Sequence, residues 1–144
     1  MLKMTEGKYS KYVIREPRMR APHVEITAPI VAFNRGRMDF PEVPFSINYE
    51  LIEVPFVIEK SGHTHDWDQI LCFIGSDPKN FFDFGAEIEF FIGEEAERYF
   101  INTTTIVYIP RGMVHGPLEF KKIHKPIIFN NIVLSSHYGR AKQF

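Results

Sequence analysis

Residues 86–109 read AEIEFFIGEEAERYFINTTTIVYI, and this stretch fixes the secondary-structure class. From Ala86 to Ile92 apolar side chains alternate with Glu87 and Glu89, the period of two that a half-buried strand requires. Gly93, Glu94, Glu95 and Ala96 form a turn signal that leads into a second strand over Glu97 to Asn102. Thr103 to Ile109 is β-branched almost throughout, and Pro110 and Gly112 end it.

The pattern extends to both sides. Asp66 to Ile74 is an apolar run closed by the turn GSDPKN. Ser46 to Glu59 alternates in part through Ile47, Tyr49, Leu51 and Val57, with a bend or an edge position at Pro55. Ile127 to Leu134 supplies a further strand. Helical periodicity is absent, and many short strands separated by turns predict an all-β sandwich or barrel. Residues 1–45 differ: they hold five prolines, scattered arginines and short strand candidates only at Val24 to Ile26 and Ile30 to Phe33. They are expected to form an N-terminal arm and edge strands packed on a barrel of residues 46–144.

At 144 residues with 44% apolar content, one domain can bury a substantial core. Fourteen Phe imply a thick core, an apolar pocket or an oligomer interface, since Phe carries no polar group to satisfy. A net charge of -1 gives no reason to expect nucleic acid or an anionic membrane as partner. Cys72 lies in an apolar run and reads as a small buried hydrophobe. The polar N-terminus and the lack of a long apolar run predict a soluble, cytoplasmic protein.

The chemistry sits in SGHTHDWDQILCFIG, residues 61–75, and IPRGMVHG, residues 109–116. His63 and His65, two apart on a strand, project to one side, and Gln69 shares their parity if the strand runs on without a bulge. His115 must come from another strand. Three imidazole nitrogens and one amide oxygen would surround a metal and leave a position for water or substrate. Asp68 is the competing fourth ligand if a bulge turns the other face inward. The histidines could instead line a metal-free pocket.

These residues resemble the two motifs of the cupins, double-stranded β-helix (jelly-roll) barrels. The first motif is similar at His63, His65, Gln69 and Gly75, with Gln69 where the family has glutamate. The second is matched without a gap at Pro110, Gly112 and His115. Departures are Val57 and Thr104 where glycine opens each motif, Glu119 where asparagine follows the last histidine, and an extra loop around DPKNFFDFG. The resemblance implies a cupin barrel that holds one divalent transition metal (Fe, Mn, Ni, Co or Zn), and it favours a homodimer.

Gln69 changes the site's charge: an amide oxygen cancels none of a divalent ion's charge, so an anionic ligand and Lewis-acid chemistry are favoured. The protein is therefore read as an enzyme acting on a small anionic or hydroxylated molecule by isomerase, lyase or hydrolase-type chemistry. An Fe(II) dioxygenase and a non-catalytic ligand-binding cupin remain open. Glu119 could orient His115 from the same strand face or lie on the surface. Trp67, Phe73, Phe90 and Tyr108 are candidates for pocket walls or for core. Arg35, Arg37, Arg98 and Arg111 could hold a substrate carboxylate but read first as solvated, and His23, His124 and His137 read as exposed.

Overall fold

The structure, a computed structural model, describes residues 7–135 together with the backbone of 142–143. Strands β1 (Arg18–Met19), β2 (Ile30–Phe33), β3 (Ser46–Ile52), β4 (Phe56–Glu59), β5 (His63–Thr64) and β6 (Gln69–Gly75) make the first half. Strands β7 (Ala86–Ile92), β8 (Glu97–Ile101), β9 (Thr105–Ile109), β10 (His115–Ile123), β11 (Ile127–Val133) and β12 (Lys142–Gln143) make the second. They form two antiparallel sheets, ordered β1-β2-β3-β11-β6-β9 and β12-β5-β10-β7-β8, with β4 also paired to β10. Among the described residues no helix is long and apolar enough to cross a membrane.

The expected hairpin forms as β7 and β8, closed over Gly93 and Ala96, whose positive φ angles reverse the chain. Pro55 divides the long Ser46 to Glu59 segment into β3 and β4, since it has no N–H to give a ladder. In the arm, Ile30–Phe33 is the strand β2 and pairs with β3, whereas Val24–Ile26 is a turn and not a strand. Ile26, Ile30 and Ala32 enter the core from this arm.

The core lies between the sheets. Phe73 stacks on Phe129 at 5.2 Å, and Phe120 meets Phe129 edge-on at 5.8 Å and Phe56 at 5.3 Å. Each buried Phe contributes roughly 2–3 kcal/mol through burial, so this cluster closes one end of the barrel firmly. Part of the Phe surplus is thus core.

The β3 alternation is real, but its polar members face inward. Ser46, Asn48 and Glu50 are buried, while Tyr49 is exposed and Ile47 and Leu51 are only partly covered. On the outer surface of the same sheet Ile47, Ile132, Ile70 and Tyr108 line up across four strands, with Leu51, Ile128 and Ile74 in a parallel row.

The extra loop occupies residues 76–85 and folds back on β6. A side chain at Gly75 would come within 2.6 Å of the Phe81 carbonyl and 2.7 Å of that of Asp83, so only glycine fits there. Thr104 explains one departure from the glycine pattern: its hydroxyl accepts from the Gly75 N–H at 3.0 Å and donates to the Phe81 carbonyl, pinning the loop.

Candidate metal centre

His63, His65 and His115 are all buried, and the nitrogens they offer lie within 4.8 Å of one another. At tetrahedral or octahedral angles two metal–nitrogen bonds of about 2.1 Å place ligand nitrogens roughly 3–3.5 Å apart, so binding an ion would draw the three rings together. Among the described residues no carboxylate or thiol joins this group. The ring centroids are 4.9 Å apart for His63 and His65, 4.3 Å for His63 and His115, and 5.1 Å for His65 and His115.

Backbone geometry aims these rings. His115 opens β10 directly opposite His63 on β5. Before it, Pro110 to Met113 forms a turn closed by the Met113 N–H to the Pro110 carbonyl at 3.0 Å, with Gly112 at φ +80°. The Gly112 N–H donates to the His65 carbonyl at 3.0 Å, so the second motif is tied to the first. Gly116 lets β10 pass close to β5; a side chain there would meet the Ser61 carbonyl at 2.5 Å. His115 Nδ1 lies 3.0 Å from the Met113 carbonyl and His63 Nδ1 lies 3.2 Å from that of Ser61. A carbonyl only accepts, so each Nδ1 carries the proton and each Nε2 keeps its lone pair for a ligand. Trp67 stacks flat on the His65 ring, centroids 4.9 Å apart and 12° from parallel.

Gln69 is buried and lines the same cavity as the three histidines. Its amide N–H donates to Asn131 Oδ1 at 2.7 Å, which leaves Oε1 buried without a hydrogen-bond partner among the described residues. A buried acceptor of this kind is costly unless something fills it. Three neutral imidazoles and one orphaned amide oxygen suit a divalent first-row ion. The continuous strand from His63 to Gln69 does not form: the chain leaves strand geometry after Thr64 and re-enters at Gln69. Asp68 is turned away, accepting from the Tyr108 hydroxyl at 3.1 Å and the Arg111 backbone N–H at 2.9 Å.

Several other expectations need correction. Glu119 does not share the inward face with His115, because β10 shifts register between His115 and Leu118 and brings Leu118 into the lining instead. Of the four aromatic candidates only Phe90 lines the cavity. Phe73 is core, Trp67 backs His65, and Tyr108 is exposed, its hydroxyl bonded to Asp68. Arg37, Arg98 and Arg111 pair with Asp39, Glu89 and Asp66 outside the cavity. Arg35 is not a solvated arginine: it lines the cavity, as does His23. His124 is exposed, and His137 lies outside the described residues. Burial pushes the Cys72 thiol pKa up, as befits an inert side chain.

The cavity encloses about 220 Å³. Leu71, Leu118, Phe90, Ile58 and Phe129 supply its apolar wall, and Glu50, Glu59, Arg35 and Asn131 its remaining polar groups. Glu50 and Glu59 escaped the sequence reading. Glu50 is 3% exposed, and desolvation raises its pKa to about 7 although the Arg35 charge works the other way. Glu59 Oε2 sits 3.9 Å from His63 Nδ1.

No family model and no curated protein matches the chain. Among solved structures, an uncharacterized conserved protein with a double-stranded β-helix domain from Klebsiella pneumoniae aligns over 98% of both chains, with a TM-score of 0.54 and 15% identity. The chain has the cupin fold. Recombinant oxalate oxidase in complex with glycolate matches this cupin barrel at a TM-score of 0.54 and 12% identity, over 83% of this chain and 56% of that one. This chain thus spans little more than half the length of that enzyme. At these identities the cupin likeness is one of fold.

Proposed function

We propose that the protein is a metal-dependent enzyme that acts on a small anionic or hydroxylated molecule by Lewis-acid chemistry. One observation carries this reading: the orphaned Oε1 of Gln69, oriented by Asn131, in a cavity with three buried histidines. His63, His65, His115 and Gln69 would hold the ion, and all four are neutral donors. A divalent ion in such a set keeps its full charge and polarises an oxygen-bearing ligand.

The chain's own residues do the rest. The carbonyls of Ser61 and Met113 hold two rings in the tautomer that presents Nε2. Leu71, Leu118 and Phe90 keep the space largely apolar, which strengthens electrostatics on a bound anion.

Protein purified without chelator should contain close to one equivalent of a first-row transition metal. Replacing any two of the histidines by alanine should abolish its retention; less than about a tenth of an equivalent in the unaltered protein would overturn the reading. Gln69→Glu should raise metal affinity and weaken binding of acetate or phosphate about tenfold, since it adds one negative charge beside the ion. Unchanged anion affinity would remove Gln69 from the ligand set. Dioxygen uptake by Fe(II)-loaded protein with phenolic or carboxylic substrates would replace Lewis-acid chemistry by oxygenation.

We further propose a homodimer formed through the outer surface of the β3-β11-β6-β9 sheet. Two uncharged rows of Ile, Leu and Tyr cross it, and Ile106 is 66% and Tyr108 57% exposed. A second copy offers the matching uncharged surface.

A further inference from the structure

The metal cavity meets solvent where its lining is exposed. Eleven of its fifteen lining residues are buried, and the exceptions are Pro22, His23 and Arg35 of the arm and Glu59 at the end of β4. These four therefore rim the opening, and the arm supplies three of them.

His23 is held in that rim by local structure. Its carbonyl accepts from the Ile26 N–H at 3.1 Å, and Ile26 is buried in the core, so the turn is pinned from beneath. The imidazole tilts over Phe56 of β4 with ring centroids 5.8 Å apart, and Phe56 in turn lies 5.3 Å from Phe120. The ring thus reaches from the arm to β4.

This imidazole belongs to the cavity but not to the ion. Among the described residues the nitrogens grouped within 4.8 Å come from His63, His65 and His115 alone. Nor does the protein hold its nitrogens: among the described residues no hydrogen bond or ion pair engages the His23 ring. Arg35 and Glu59 differ, since both are engaged by other groups of the protein. The polar atoms of His23 are left to face what passes, and replacing the ring strips no buried partner of its hydrogen bond.

We propose that ligands reach the three histidines through the gap between the Pro22–His23 turn and β4, and that the His23 side chain screens what enters. A side chain at the mouth of a cavity acts on rates of entry and release before it acts on affinity. The entrance rests on the cavity alone; its use by a metal-bound ligand rests on the proposed function.

The test follows small reagents into the cavity of the full-length protein, with metal content measured on the same samples. Metal-free protein is treated with diethyl pyrocarbonate, and peptide mapping gives the rate at which His63, His65 and His115 are modified. Where the protein is purified holding metal, its rate of extraction by pyridine-2,6-dicarboxylate is followed instead. His23→Ala should raise the rate at least about threefold and His23→Trp should lower it at least about threefold. Val24→Trp serves as control, because Val24 lies on the same turn but is 85% exposed; its rate should match the unaltered protein. Smaller effects at His23 would mean that reagents enter elsewhere, and they overturn the proposal. So does a Val24→Trp effect as large as that of His23→Trp, which would mark a general disturbance of the arm. A protein that takes up no cobalt(II) would sink the metal-enzyme reading and leave the entrance to be judged on the modification rates.

Discussion

The two faces of the β3-β11-β6 sheet reverse the usual distribution of polarity. Toward the barrel interior stand Ser46, Asn48, Glu50, Asn131 and Gln69, all buried. Toward the outside stand Ile47, Leu51, Ile70, Ile74, Ile128 and Ile132. A strand gains stability by burying apolar side chains and loses it by burying groups that need water. The inner face forgoes part of that gain at these five positions and recovers it at Leu71 and Val133 and at the Phe cluster, where Phe73, Phe129, Ile52 and Ile127 take over. Glu50, Asn131 and Gln69 bring that buried polarity into the cavity, and the apolar rows on the opposite face make a surface that expects cover.

The largest effect expected from breaking this contrast is at the apolar floor. Phe129→Ala should cost about 3–5 kcal/mol in urea or thermal unfolding, because the stacked Phe73 and the edge-on Phe120 cannot both collapse into the space. A cost under 1 kcal/mol would mean that the closed end is not the main anchor.

Glu50 gives the next effect, and its sign follows from its raised pKa. The folded chain keeps the Glu50 proton up to about pH 7, where the unfolded chain has lost it near 4.5. Its contribution to stability is therefore complete below pH 4.5 and is lost as pH rises through 7. Glu50→Gln should escape that loss, gaining on the order of 3 kcal/mol relative to the unaltered protein between pH 4.5 and 8. Parallel stability curves for the two proteins across that range would show that Glu50 is solvated after all.

The smallest effect on folding belongs to the outer face. Ile106→Lys should change monomer stability by no more than about 0.5 kcal/mol, yet it should convert a dimer to monomer in sedimentation at micromolar concentration. If the unaltered protein already sediments as a monomer, the cover expected over this face is not a second copy.

The fold was largely legible. Hairpin, turn and proline signals around Ala86–Ile109 and Pro55 act locally, and local signals survive in a single sequence. The three histidines were legible by their spacing and by their glycine and proline neighbours, whereas Gln69 was reached through a strand unbroken from His63, which does not form although Gln69 does line the cavity. Parity misled where the ladder slipped: the register shift after His115 moved Glu119 out and Leu118 in. Glu50 and Arg35 were not legible as lining one cavity, because the β2–β3 pairing that brings the arm beside β3 is declared by neither segment alone. An alternating strand such as Ser46–Ile52 does not itself declare which face is inside, and here the polar one is.

Gly75, Thr104 and the loop 76–85 form a unit with a consequence for descent. The loop's carbonyls leave room for no side chain at 75, and the Thr104 hydroxyl bridges the two. Relatives that keep the ten-residue insertion should keep both residues, and lineages that delete it should let positions 75 and 104 drift together.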